Sequence, residues 1–111
     1  MNKIFLKKTY EIKSNNKWVE NSKKGTQEKE CSFEDYYRIC SDKTIDFFKN
    51  IIGSKERVYR NELGIVTRLI STSPLRDERC IYSFYFKNNK QENLLKHYVE
   101  NRTMGGWSYD T

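Results

Sequence analysis

The chain has 111 residues, no alanine, a formal charge of +6 and only 36% hydrophobic residues, while Phe, Tyr and Trp make up 14%. This length fits a single domain over residues 1–111 that removes roughly two-thirds of its unfolded surface from water. Large aromatics, each covering about 150 to 250 Å², would carry its core.

No apolar run approaches the ~20 residues of a membrane helix, and Ile4–Leu6 near the start is far short of an export signal. Cys31, Cys40 and Cys80 can neither all pair nor form a Cys-x-x-Cys zinc or redox motif. Free thiols in a reducing, cytoplasmic setting are therefore expected, with no membrane contact.

Lys3–Lys13 has the branched and aromatic content of a strand, and Ser14-Asn15-Asn16-Lys17 supplies a turn into a partner at Trp18–Glu20. Residues 21–30 are almost wholly polar and are expected to lack fixed structure. Ser32 opens the clearest element, because its hydroxyl can cap a helix whose first turn holds Glu34 and Asp35. Phe33, Tyr36, Tyr37, Cys40, Thr44, Phe47, Phe48 and Ile51 then recur at steps of three and four. That spacing predicts one buried helical face over residues 33–52, closed by Gly53 in the left-handed conformation. The alternative is a second cap at Asp42 that breaks the helix in two.

Three further strands are predicted at 55–61, 64–72 and 79–87, with turns at Asn61–Gly64 and Ser73-Pro74. Alternation puts Cys80, Tyr82, Phe84 and Phe86 against the helix. The opposite face receives Ile81, Ser83, Tyr85 and Lys87, with Arg68 and Thr72 beside them. Asn89 and Glu92 resemble a capping box for a last helix reaching about residue 100, buried through Leu94, Leu95, Tyr98 and Val99. Met104-Gly105-Gly106-Trp107 reads as a loose end whose Trp107 docks back on the body. The expected fold class is α+β: an N-terminal β-hairpin, a long amphipathic helix, a three-stranded antiparallel meander and a C-terminal helix.

The order helix, three antiparallel strands, helix over 33–100 resembles the topology of double-stranded-RNA-binding domains, a family that implies RNA minor-groove contacts. Residues Phe86-Lys87-Asn88-Asn89-Lys90-Gln91-Glu92-Asn93-Leu94 lack the lysine- and alanine-rich helix start that family sets on phosphate. The resemblance is therefore one of topology.

No catalytic constellation is visible. His97 is the single histidine and falls beside the apolar stripe of its helix, toward solvent. Glu34-Asp35 and Asp77-Glu78 are adjacent carboxylates explained by a helix start and a solvated turn. Gly25, Gly53 and Gly64 are isolated, and Gly105-Gly106 precedes no helix, so no phosphate-cradling loop is formed. No cofactor or metal is expected, and a non-enzymatic protein is the reading.

Basic and aromatic residues remain. Residues 1–30 carry eight lysines against four glutamates, Lys7 and Lys8 among them, while residues 31–111 hold thirteen basic and eleven acidic groups. The meander carries Arg57, Tyr59, Arg60, Arg68, Arg76, Arg79, Tyr85 and Lys87. Arginine can hold phosphate through paired hydrogen bonds and tyrosine can stack on an unpaired base, so this mixture suits nucleic acid. Strand parity sets Arg57 and Tyr59 on one face and Arg60 on the other, while Arg76 and Arg79 flank a turn.

The expected function is that of a small basic binding protein acting on nucleic acid or on nucleic-acid-handling machinery. The alternative partner is an acidic protein surface. In that case the protein is an inhibitor of the anti-defence or anti-CRISPR type, encoded by a phage or mobile element, docking through Tyr and Arg.

Overall fold

The computed structural model describes residues 2–109, with side chains described as far as Thr103. Its architecture is mixed α+β: a six-stranded antiparallel sheet, a bent helix over residues 33–52 and a C-terminal helix.

β1 (Lys3–Ser14) turns through Asn15 and Asn16 into β2 (Lys17–Glu20), pairing Ser14 with Lys17. Both asparagines have positive φ, 52° and 64°. Two left-handed residues in succession make a hairpin turn whose twist matches the strands it joins, and asparagine is among the few residues that adopt that conformation readily.

The expectation for residues 21–30 is overturned. Only residues 21–25 leave the sheet, and β3 (Thr26–Ser32) resumes along the same edge of β1, from Thr9↔Thr26 to Lys3↔Ser32. Tyr10 closes the excursion with both backbone groups: its N–H donates to the Gly25 carbonyl at 3.1 Å, and its carbonyl accepts from the Asn21 N–H at 2.9 Å. The polar composition is that of an edge strand. Of its residues only Cys31 is buried, so ladder hydrogen bonds rather than apolar burial hold it.

β4 (Lys55–Arg60), β5 (Val66–Ser73) and β6 (Glu78–Tyr85) form the expected meander. β6 also pairs with β1 from Phe5↔Tyr85 to Ile12↔Glu78, so hairpin and meander share one sheet. Across the sheet, β2 and β3 share one edge, followed by β1, β6, β5 and β4. A register shift between Tyr59 and Arg60 sets Tyr59 opposite Arg68 but Arg60 opposite Val66. The extra residue, Thr67, re-phases β5, so Val66 and Leu69 are both buried although three positions apart.

α1 (Phe33–Cys40) starts as the sequence predicts, with the Ser32 hydroxyl accepting from the Asp35 N–H at 3.0 Å. Ser41 then leaves the helical conformation (φ −66°, ψ 148°), and its hydroxyl caps α2 (Asp42–Phe47) by accepting from the Thr44 N–H. The helix therefore breaks, one residue before Asp42. α2 runs into a π-helical turn, Phe48–Ile52, which Gly53 closes at φ 79°.

The single buried face over 33–52 does not form. Phe47 is 51% exposed and Ile51 70%, with Phe48 and Ile52 also exposed. A 3.6-residue stripe stays in phase only along an unbroken helix; Ser41 and the wide π turn both shift it.

The core lies between one sheet face and the helices. Ile4, Leu6, Val66, Leu69 and Phe84 meet Phe33, Tyr36 and Cys40 of α1 and Leu95 of α3 (Asn89–Tyr109). The Tyr36 ring packs edge-on against Phe84 with centroids 4.9 Å apart. α3 is capped by Asn88 rather than Asn89, the Asn88 side-chain Oδ1 accepting from the Gln91 N–H at 3.1 Å. The Gln91 carboxamide accepts from the Lys87 N–H and donates to the Lys3 carbonyl, tying the helix start to β1. Leu94 is exposed, contrary to expectation. α3 also runs past residue 100, and the docking expected of Trp107 lies outside the described side chains.

Candidate functional site: the helix-free face of the sheet

α1 and α3 cover one face of the sheet, and the cross-strand register lays out the other as rows. One row reads Tyr59, Arg68, Ser83, Lys7, Glu28; the next Arg57, Ile70, Ile81, Thr9, Thr26; the next Lys55, Thr72, Arg79, Glu11, Glu20. Phe5 and Tyr85 lie beyond the first row, and Lys13 with Trp18 beyond the last. Side chains in one row project from strands about 4.8 Å apart, and rows repeat about every 6 to 7 Å along the strands.

Charge is segregated across this face. On β4, β5 and β6 it presents Lys55, Arg57, Arg68 and Arg79 with no carboxylate, while the acids Glu11, Glu20, Glu28 and Glu30 all belong to β1, β2 and β3. The Arg68 guanidinium carbon lies 5.6 Å from the Tyr59 ring centroid, and that of Arg79 lies 4.5 Å from Trp18. Arg79 also donates to Glu11 at 2.6 Å in a half-buried pair. Arg57, Arg68, Lys55 and Lys13 have no ion-pair partner among the described residues.

Of the candidates from sequence, Lys7, Arg57, Tyr59, Arg68, Arg79 and Tyr85 come together on this face. Lys87 follows the end of β6 and lines a cavity of about 500 Å³ with Lys3, Phe5 and Tyr85. Three are placed elsewhere. Lys8 sits on the helix side, its ammonium 5.2 Å from the Tyr10 ring and 5.4 Å from Tyr82. Arg60 also points to the helix side, donating to the Gly64 carbonyl at 2.9 Å and to Asp42 at 3.3 Å. Arg76 stands exposed in the β5–β6 turn, beyond the sheet.

Sequence reasoning missed Lys13, Trp18 and Lys55. With Arg57, Thr72 and Arg79 they line a depression of about 470 Å³ at one end of this face. The hairpin turn was the available signal, since it pairs Lys13 with Trp18. The lysine excess of residues 1–30 does not form one basic patch: Lys3, Lys7 and Lys13 share the open face with Glu11, Glu20, Glu28 and Glu30, Lys3 pairs with Glu30, and Lys8 lies on the helix side.

A second groove of about 430 Å³ runs between α1, α3 and the β4–β5 turn, lined by Tyr36, Cys40, Arg60 and Val99 among others. Its buried hydroxyl and thiol are poor reagents. Burial raises the Tyr36 hydroxyl and the Cys40 thiol far above their usual values, and outside the groove it pushes Cys31 up to about 11. A neutral buried thiol is a weak nucleophile. Among the described residues no buried side-chain polar atom lacks a partner, and no His, Cys, Asp and Glu cluster could hold a metal. No helix among them is long and apolar enough to cross a membrane. No protein family, curated protein or solved structure matches the chain.

Proposed function

We propose that this is a non-enzymatic binding protein that takes single-stranded nucleic acid on the helix-free face of its sheet. The observation that carries this reading is the carboxylate-free half of that face, where Lys55, Arg57 and Arg68 stand beside Tyr59, with Tyr85 beyond the first row. Arginines with no protein carboxylate to satisfy them are available to phosphate. Tyrosine rings give flat surfaces to unpaired bases, and Ile70 and Ile81 form a low apolar floor in the row next to Tyr59. A broad sheet offers such a platform to splayed bases, whereas a duplex buries its base faces in its own stack.

Fluorescence anisotropy with labelled oligothymidylate and oligouridylate tests the reading. Four phosphate contacts give a slope of log K against log salt of about −3 for a single strand. The double variant R57A/R68A is expected to weaken binding at least tenfold and to flatten that slope. Salt-insensitive binding, or none at 50 mM salt, contradicts it.

A second reading, a protein partner, rests on the adjacent exposed side chains Phe47, Phe48, Ile51 and Ile52. Contiguous apolar surface of this kind marks protein contacts more often than nucleic-acid contacts. An inhibitor that occupies a nucleic-acid-handling machine would use it, and F48S/I51S would then abolish capture of that machine while leaving oligonucleotide binding intact.

A further inference from the structure

We infer that the depression lined by Lys13, Lys55, Arg57 and Arg79 holds the terminal phosphate monoester of a single strand lying on the sheet, so that the protein recognises strand ends. This deepens the nucleic-acid reading above and rests on it.

The register makes the site. Lys55 on β4 and Arg79 on β6 flank Thr72 on β5 in one row, Arg57 follows two residues along β4, and Lys13 enters from the end of β1. The Lys13 N–H donates to the Asp77 carbonyl at 2.9 Å, which fixes the strand end against the β5–β6 turn. Arg79 is held in place before any ligand arrives, stacked on Trp18 and bonded to Glu11. Lys13, Lys55 and Arg57 have no such neutralising partner among the described residues.

Two features favour a chain end over a passing phosphodiester. A monoester carries about −1.5 to −2 at pH 7 and offers three acceptor oxygens; a diester carries one charge. Several convergent cations and the Thr72 hydroxyl match the former. The surroundings also stop a polyanion from continuing: Trp18, Pro74 and the acidic residues Glu56 and Asp77 also line the depression, and Glu11 and Glu20 occupy the β1 and β2 positions in its row. The open direction leads back over Arg57 toward Tyr59 and Arg68.

The test uses the full chain and three oligothymidylates of one length, carrying a 5′-phosphate, a 3′-phosphate or neither, in anisotropy titrations at one ionic strength. One phosphorylated end is expected to bind about tenfold more tightly than the unmodified strand. The variant K13M/K55M is expected to erase that difference. Equal affinity for all three strands overturns the end-recognition inference while leaving the sheet reading in place; failure of all three to bind overturns both. Inorganic phosphate serves as the competing source of the same chemistry. If it binds as tightly as the phosphorylated strand, the strand plays no part and the inference fails.

Discussion

The buried Tyr36 hydroxyl donates to the Val66 carbonyl at 2.8 Å, joining α1 to the point where β5 changes register. That bulge re-phases β5, so that Val66 and Leu69, three positions apart, both face the helices. Alternation along the strands sorts the side chains: Arg57 and Tyr59 on β4 and Arg68 on β5 face the open side, and Arg60 the helix side. The Tyr36 contact thus anchors α1 to the strand that carries Arg68, beside its bulge.

Replacing Tyr36 by Phe keeps the ring against Phe84 and removes only this bond. The Val66 carbonyl is left buried without its partner, a loss of about 1–3 kcal/mol. Urea unfolding of Y36F against the parent protein measures it, and a change below about 0.5 kcal/mol would show that the bond does not hold the bulge.

Alkali should unfold the protein more readily than neutral buffer. Burial pushes Cys31 from 9.0 up to about 11, and raises Cys40, Tyr36 and Tyr82 as well. Groups raised in the folded state keep their protons there after the unfolded chain has lost them. Their stabilisation is complete below pH 9 and falls as pH rises through the folded values, by at most about 1.4 kcal/mol per pH unit for each group. The denaturation midpoint at pH 10 is expected below that at pH 8, and C31S should lessen the drop. A flat profile between those values contradicts the assigned burial.

Asn15 and Asn16 set the phase of the whole hairpin. Asn16, at φ 64°, is expected to accept glycine with a gain of up to about 1 kcal/mol, because glycine meets the turn without steric strain. A β-branched residue there costs about 1–2 kcal/mol. Thermal melts of N16G and N16V give the order, and an N16V protein as stable as N16G would refute the turn geometry.

The buried face of β1 and the bent helix supply a contrast between apolar residues. Leu6 is buried, and L6A is expected to cost about 2–5 kcal/mol. Phe47 and Ile51 project from the bent segment, so F47S and I51S should each change stability by less than about 0.5 kcal/mol. Equal losses at Leu6 and Phe47 would restore the unbroken helical face that the sequence periodicity suggests.

The same residues explain what was legible in the sequence. Ser32, Asn15-Asn16 and Gly53 announce themselves because each answers a local need for a helix cap or a left-handed backbone. Strand alternation likewise separated Arg57 and Tyr59 from Arg60. β3 was hidden because an edge strand requires little apolar surface. Phe47 misled because aromatic spacing was read through Ser41, whose non-helical ψ of 148° ends the stripe. The depression escaped notice because it is built by pairings between Lys13, Thr72, Arg79 and Lys55 across four strands, and single-chain patterns do not reveal which strands are neighbours.

The most direct measurement is a titration of the ¹⁵N-labelled protein with a short unphosphorylated oligothymidylate, followed by backbone amide and arginine side-chain resonances. The account predicts shifts concentrated at Arg57, Tyr59, Arg68, Ile81 and Tyr85, with α1 and α3 unmoved. Shifts confined to residues 47–52 and α3, or no shift at saturating strand, would contradict it.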